Sequence, residues 1–531
     1  MFHLKGLLLI VCIQYVFSVS AQNNVRTKTD FDNGWRFKLD SVNEYNGSDV
    51  NDANWRTLNL PHDWSIEFPF DSASPSGVSG GALRGGLAWY RKTFTVPESD
   101  KGKIISIAFD GVYRNSEVWI NGHSLGMRPS GYISFQYDLT PYLNYGNKEN
   151  VIAVKVDNLK QPNSRWYRGS GIYRNVWLVK TNKIHIVHWG TYVTTPRVNK
   201  DSAFVMLQIY VCNSSNNTGE KKSFQVKTKI YNSKGIQVAV SVEPKDNDFE
   251  LGKDTTFNVE GFTMRNPDLW SVEHPYLYKA VTQIIINKEV VDEYTTSFGI
   301  RNFKFDSKYG FILNGKPLKI LGVCDHHDLG ALGTAINKRA LRRQLQMLKA
   351  RGCNGIRTSH NPPAPELLDL ADKLGFVVMD EAFDMWAKPK TRYHYHLDWK
   401  EWHRKDLEDQ ILRDRNHPSV IIWSVGNEIP EQGGNATKGD TTGRVIGREL
   451  VSIVKSLDTT REIVTANNNP NNHNNIILSG AFDLIGVNYH QQGWDKFHET
   501  WPDKKMIVTE STSALETRGY YDLVPSDSIR R

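Results

Sequence analysis

One stretch constrains the fold of this chain more than any other. A helix-like run over 402–415 stops at the turn Asn416-His417-Pro418. The β-branched run Val420-Ile421-Ile422 then ends abruptly in Gly426-Asn427-Glu428. A strand that is apolar on both faces belongs in a parallel sheet covered by helices. Such a strand has no structural use for a carboxylate at its C-terminal tip, whereas barrel enzymes carry their chemistry at that point. Met506-Ile-Val-Thr-Glu510 repeats the arrangement. A single glutamate at a strand end is more often a surface residue; the repetition favours function. Two carboxylates at the tips of two buried strands suit an acid/base and nucleophile pair, as in a retaining glycosidase.

The surrounding pattern agrees. After about residue 302, strand-like runs at 318–323, 354–357, 376–379, 420–424, 463–466, 484–488 and 506–509 alternate with helical ones. Residues 337–351 carry Leu341, Leu345 and Leu348 at helical spacing with Gly352 as the stop. Pro365 opens a second helix that Gly375 closes. Repeated β–α units predict right-handed crossovers and a parallel sheet. A doubly wound sheet is one solution. A (β/α)8 barrel accounts better for the polar residues at nearly every strand end: His326-His327, Ser359-His360-Asn361, Asp380-Glu381 with Asp384, Asn427-Glu428, Asn467, Tyr489-His490 and Glu510. Upstream of about 300 the chain reads as many short strands with close turn signals, among them Asn121-Gly122, and predicts two β-sandwiches.

Lys5, the largely apolar residues 6–19 and Val19-Ser20-Ala21 before Gln22 read as an export signal over 1–21, shorter than the roughly 20 apolar residues of a membrane span. That predicts a secreted or periplasmic protein with no membrane span. The net charge of +7, from 65 basic and 58 acidic residues, comes without a basic stripe or reading motif, so nucleic acid is not an expected partner. Cys212, Cys324 and Cys353 remain after the signal; their odd number and wide spacing fit neither a disulfide framework nor a zinc site. Cys324 and Cys353 lie in or beside apolar strand-like runs, where a buried free thiol is expected.

Asn416-His417-Pro418-Ser419 leading to Gly426-Asn427-Glu428 resembles the acid/base signature of glycoside hydrolase family 2. Gly486-Val-Asn488-Tyr489-His490 and Thr509-Glu510-Ser511 resemble its sixth and seventh strand motifs. Gly322-Val-Cys-Asp325-His326-His327-Asp328, with Ile356-Arg357-Thr-Ser-His360-Asn361-Pro362, is similar to the form in exported bacterial β-galactosidases of the family. Leu60-Pro61-His62-Asp63-Trp64 and Arg165-Trp166-Tyr167-Arg168-Gly-Ser-Gly171-Ile172-Tyr173-Arg174 extend the resemblance to the β domains.

The resemblance implies a multidomain β plus α/β chain: a sugar-binding-like jelly-roll sandwich over 27–182, an immunoglobulin-like sandwich over 183–300 and a (β/α)8 TIM barrel over 301–531. It implies a retaining exo-β-glycosidase that releases terminal β-galactosides from oligo- or polysaccharides. In that role Glu428 is the general acid/base, Glu510 the nucleophile, and His326, His360, Asn427 and Tyr489 bind substrate. A β-glucuronidase is the alternative, with Arg165 or Arg168 available to a uronate carboxylate, although the family's Asn-x-Lys element is not evident. No cofactor is required by the resemblance and no metal ligands are assigned. Some members hold magnesium beside the acid/base, but the Glu-x-Thr-His element is not found after Asp380-Glu381; magnesium or sodium, like an oligomer, is left open. Only 21 residues follow Glu510. The expectation is therefore of an incomplete barrel without its last strand, in a fragment or truncated product, and a carbohydrate-binding pseudoenzyme is the reading from a different class.

Overall fold

The computed structural model describes residues 25–41, 44–214, 222–241, 246–249, 256–433 and 439–512. The export signal read at 1–21 lies outside the described residues, as do residues 513–531, on which the expectation of a missing strand rests. No described helix is long and apolar enough to cross a membrane.

The first sandwich packs a six-stranded antiparallel sheet on a four-stranded one. The six run in the order Arg56–Leu58, Trp35–Leu39, Gly86–Thr95, Glu149–Asn158, Ser116–Ile120 and His123–Arg128. The four run Thr27–Asp30, Val176–Thr181, Ile104–Phe109 and Phe135–Asp138. Alternate residues such as Trp35, Tyr90, Ile107, Val118 and Val154 face one buried core. Asn121 and Gly122 both take positive φ, 50° and 81°, and close a two-residue hairpin in which Ile120 opposes His123. That backbone matches the strand twist and explains the residue pair. The second sandwich sets Ile184–Val198, Ser202–Asn213 and Thr256–Arg265 against a sheet built on Lys222–Tyr231, Tyr278–Ile286 and Glu289–Phe298. Ala203, Val205, Leu207, Ile209 and Val211 are buried while the residues between them are not, the period of two that one covered face imposes.

From Gly322 onward the described chain is a barrel-like parallel sheet with its seven strands in sequence order. They are β1 (Gly322–Asp325), β2 (Gly355–Thr358), β3 (Val377–Glu381), β4 (Val420–Asn427), β5 (Glu462–Asn467), β6 (Leu484–Asn488) and β7 (Lys505–Glu510). The longer helices between them are α1 (Lys338–Ala350), α2 (Pro365–Leu374), α3 (Trp399–Asp414) and α4 (Thr442–Leu457), with a single turn at Phe497–Thr500 before β7. Asn337 caps α1 by accepting the Ala340 N–H at 3.0 Å, and Leu341 and Leu345 turn into the core. Pro365 begins α2 and Gly375 ends it at φ +74°, the left-handed cap that glycine adopts without strain. Every residue of β4 is buried, as a strand apolar on both faces requires.

Two expectations are corrected. The first barrel strand is not 318–323 but Gly322–Asp325, because Lys316–Pro317 pairs back on Gly310–Leu313 and the Leu318 N–H donates to the Phe311 carbonyl at 2.8 Å. Those residues finish a hairpin before the barrel begins. Cys324 is exposed rather than buried, since β1 is an edge strand of the described sheet, and Cys353 is half-buried.

The sandwiches dock on the barrel through buried polar contacts. Arg174 donates to the carbonyls of Pro362 and Pro363 at 2.9 and 3.1 Å, and Arg128 donates to Asp406 at 2.6 and 3.0 Å. The turn before β4 has a structural task as well. Asn416 donates to the Thr191 carbonyl and accepts the Val193 N–H, both at 2.8 Å, which ties the second sandwich to the strand that carries Glu428.

Candidate active site

Side chains on a strand alternate between its faces, so neighbouring residues at one strand end have different fates. On β3, Asp380 turns outward to Gln410 of α3, which donates to it at 2.8 Å, while Glu381 turns inward. Glu381 is fully buried and its charge is met from three sides. Arg357 of β2 gives it three hydrogen bonds of 2.8–3.0 Å, His360 Nδ1 lies 2.7 Å away and Ser424 Oγ donates at 2.6 Å. Burial works to raise the Glu381 pKa, but Arg357, His360 and Ser424 outweigh it and hold the carboxyl below its ordinary value. Burial likewise opposes the charge on Arg357, and Glu381, Cys324 and Glu510 overcome it.

The same guanidinium also reaches the ends of β7 and β4. Arg357 donates to Glu510 Oε1 at 2.7 Å and to Asn427 Oδ1 at 2.8 Å. Asn488, at the end of β6, donates to Asn427 Oδ1 at 3.2 Å and to Glu428 Oε1 at 3.1 Å, and is itself fixed by Thr509 Oγ, which donates to Asn488 Oδ1 at 2.6 Å. Asn427 in turn donates to Asp384 at 3.0 Å. One continuous hydrogen-bonded frame therefore runs Glu428–Asn488–Asn427–Arg357–Glu510. Both glutamate side chains keep some exposure, 16% and 13%, whereas Arg357 beneath them keeps 5%.

Backbone geometry turns these groups toward one mouth. Glu428, Tyr489 and His490 all take positive φ, between 45° and 60°, a conformation that costs energy in a non-glycine residue and concentrates at functional sites. The Tyr489 N–H donates to the Glu510 carbonyl at 2.6 Å and the Glu428 N–H to the Ala466 carbonyl at 2.7 Å. The first sandwich supplies the remaining wall. Arg165 places two hydrogen bonds on Asp384, at 2.8 and 3.1 Å, with its other terminal nitrogen 3.9 Å from Glu428. The Trp166 ring, 37% exposed, lies 4.7 Å from His326 and 5.9 Å from His360. Burial, with the charge of Arg168 and the neighbouring His360, pushes the His326 pKa down to about 3.

Of the six residues singled out in the sequence, Glu428, Glu510 and Asn427 lie in this frame, His360 Nε2 is 3.9 Å from Glu510 and His326 packs against His360 at 5.3 Å, while Tyr489 joins through its backbone N–H. Other strand-end residues do not join them. His327 packs on Tyr173 with ring centres 5.7 Å apart, and Asn467 donates to the carbonyls of Thr465 and Gly486. His490 is exposed and meets the Asn468 carbonyl. Arg357, Asn488 and Trp166 were present in the quoted motifs without an assigned role, and Lys390 carried no signal beyond residue type. The carboxylate beside Glu428 does not fit a divalent cation: Asp384 already receives Arg165 and Lys390, the latter at 3.0 Å. Burial would raise its pKa, but Lys390 and Arg165 hold it well below the carboxylate range.

Comparison with known proteins gives three consecutive matches. Residues 29–182 match the sugar binding domain of glycosyl hydrolases family 2, residues 184–301 match glycosyl hydrolases family 2, and residues 306–522 match the TIM barrel domain of that family. A β-galactosidase of Bacteroides ovatus, BoGH2A, is 49% identical over 96% of this chain and 62% of its own length. A putative β-glucuronidase of Formosa agariphila is 38% identical over 97% of this chain and 46% of its own length. The crystal structure of a family 2 glycosyl hydrolase from Bacteroides cellulosilyticus superimposes with a TM-score of 0.86 at 38% identity, over 91% of this chain and 61% of that one. The chain therefore spans less than two thirds of each of these relatives.

Proposed function

The chain belongs to family 2 of the glycosyl hydrolases, and on that premise we propose that it is a retaining exo-β-glycosidase acting on terminal β-galactosides of oligo- or polysaccharides. One observation carries this reading: the hydrogen-bonded frame joins Glu428 and Glu510 but gives them different partners. Glu510 accepts a hydrogen bond from a guanidinium, and Glu428 accepts its hydrogen bond from the neutral amide of Asn488, with Arg165 farther off at 3.9 Å. An arginine-bound carboxylate suits a nucleophile that must stay charged until it attacks. A carboxyl held by a neutral amide suits a group that gives and then recovers a proton.

In the first step a Glu510 oxygen attacks the anomeric carbon as the bond to the leaving oxygen breaks and the Glu428 proton passes to that oxygen. In the second step water gives its oxygen to the anomeric carbon and a proton to Glu428, and Glu510 departs as carboxylate. Asn427, held between Arg357 and Asp384, is the partner for the sugar 2-hydroxyl. His326, His360 and Tyr489 contact the rest of the ring, and Trp166 offers an aromatic face. The apolar stretch over 6–19 supports export to the periplasm or medium.

A β-glucuronidase is the second reading, favoured by the 38% identical relative of that name. It requires a cation free to take the uronate carboxylate. Arg165 already spends two hydrogen bonds on Asp384, which weighs against that residue in the role. Turnover of a panel of aryl β-glycosides tests the choice, with the galactoside expected to lead. A 2-deoxy-2-fluoro-galactosyl inactivator should label Glu510. Faster cleavage of the glucuronide would reverse the substrate assignment, and labelling of Glu381 or Asp384 would reverse the mechanism.

A further inference from the structure

Lys390 takes no part in the steps above, yet it touches the peptide that joins Asn427 to Glu428. It belongs to the segment that follows β3 and runs beside the end of β4. That segment is pinned at several points. The Phe383 carbonyl accepts the Asn427 N–H at 3.0 Å, Trp386 Nε1 donates to the Val425 carbonyl at 2.7 Å, and the Lys388 N–H donates to Glu431 at 2.7 Å. The Lys390 side chain, 9% exposed, is thereby delivered to the strand tip. Its Nζ donates to the Asn427 carbonyl at 2.6 Å and to Asp384 Oδ1 at 3.0 Å.

The first contact fixes a peptide unit. The Asn427 carbonyl and the Glu428 N–H belong to one planar group, and the N–H is held from the other side by the Ala466 carbonyl at 2.7 Å. With both ends of that plane gripped, Glu428 enters at φ 45°, a conformation that a residue with a Cβ keeps only where its surroundings impose it. The second contact fixes a side chain. Asn427 Oδ1 accepts from Arg357 and Asn488, and its Nδ2 donates to Asp384 Oδ1. A guanidinium only donates and an ionised carboxylate only accepts, so the amide has one permitted orientation for as long as Asp384 stays charged. Lys390 and Arg165 keep it charged against burial. Those contacts leave one Asn427 N–H for a sugar hydroxyl. A lysine present only to neutralise Asp384 would have no need of the Asn427 carbonyl, since Arg165 already gives that carboxylate two hydrogen bonds.

We propose that Lys390 is a positioning residue for the reaction: by gripping the Asn427 carbonyl and Asp384 together, it sets Glu428 against the leaving oxygen and the Asn427 amide against the sugar 2-hydroxyl. The proposal rests on the roles given to Glu428 and Asn427 above. One cation from outside the strands thus fixes the spacing between the proton donor and the hydrogen bond to the ring, without touching substrate itself.

The test compares kcat/KM across aryl glycosides of whichever sugar the full chain cleaves fastest, so a wrong choice of sugar leaves it intact. That ratio reports the first step, in which Glu428 gives its proton. Lys390→Met should lose about 10²-fold on glycosides with a poor phenol leaving group, chiefly in kcat, and only a few-fold on the 2,4-dinitrophenyl glycoside, whose leaving oxygen needs no proton. The penalty for deleting the substrate 2-hydroxyl should shrink in the same variant. Lys390→Gln, which drops the charge and keeps a donor, gives the same comparison where Lys390→Met fails to fold, and Lys390→Arg should restore the parent profile. Equal losses on every leaving group, with an undiminished 2-hydroxyl penalty, would reduce Lys390 to a structural role and overturn this proposal alone. A parent chain that cleaves no aryl β-glycoside would overturn the role of Glu428, and this proposal with it.

Discussion

At the scale of single residues, Asp380 and Glu381 show how much one step along a strand decides. Both are buried, and both stood at a strand end that the sequence marked as polar. Asp380 faces α3, where burial and the adjacent Asp414 raise its pKa well above the usual carboxylate range. It is carried as a neutral acid, so Asp380→Asn should change stability by no more than about 1 kcal/mol near neutral pH. Glu381→Gln removes the charge that faces Arg357 and should cost roughly 3–5 kcal/mol. Denaturant midpoints of the two variants check the contrast, and equal losses would contradict it. Arg357→Met removes the donor shared by Glu381, Glu510 and Asn427. It should lower kcat/KM by at least about 10²–10³-fold, the loss typical of one oriented donor. Steady-state rates on an aryl galactoside measure that, and a change confined to KM would refute it. The carboxylates were legible because carboxylates are conspicuous at the end of an apolar run. Arg357 was not, since its role depends on three groups from three other strands that only the folded sheet brings together.

At the scale of elements, the turn between α3 and β4 is held by a pair of one half-buried and one buried side chain. His417 Nδ1 lies 2.6 Å from Asp372, whose other oxygen accepts the Ser419 N–H at 3.0 Å. Burial pulls the His417 pKa down, but the charge and hydrogen bond of Asp372 win and raise it to about 9. A histidine whose folded pKa lies above its unfolded value stabilises the fold fully below the unfolded value near 6.5. That contribution fades as pH rises through about 9. The protein should therefore lose up to about 3 kcal/mol between roughly pH 6.5 and 9.5 from this group alone. Unfolding midpoints across that range should slope downward in the parent and flatten in His417→Gln; parallel slopes would remove the pair from the account. The element boundaries were mostly visible in the sequence: Asn337, Pro365 and Gly375 mark helix ends through capping chemistry. The first barrel strand was misplaced because Leu318 and Ile320 are as apolar as strand residues. What separates them is the backbone pairing of Lys316–Pro317 with the preceding hairpin, and that pairing has no local signature.

At the scale of the whole molecule, sandwich and barrel share their polar interior. Arg128 and Asp406 are 3% and 1% exposed, and Arg128→Met would leave the carboxylate buried with Tyr395 as its remaining side-chain donor. The variant should lose about 3–5 kcal/mol and still unfold in a single transition, because the contact couples the two bodies. Calorimetry should show one peak at lower temperature; two separated peaks would mean that the sandwich and barrel melt independently. Fold class was readable from strand spacing and the change of period near residue 302, but the contribution of the sandwich to the pocket was not. Arg165 and Asp384 are 219 positions apart, and local periodicity does not report a contact of that range.

That division of labour sets where such a protein can vary. Arg357, Asn488 and Glu510 sit on barrel strands and Glu428 directly follows one, so the packed sheet fixes the groups proposed to break the bond. Arg165 and Trp166 ride on a sandwich loop, and a loop accepts insertion, deletion and replacement far more readily than a strand. On the proposed function, the sugar that is admitted can therefore change through that one loop while the groups proposed to cleave it stay where the strands hold them.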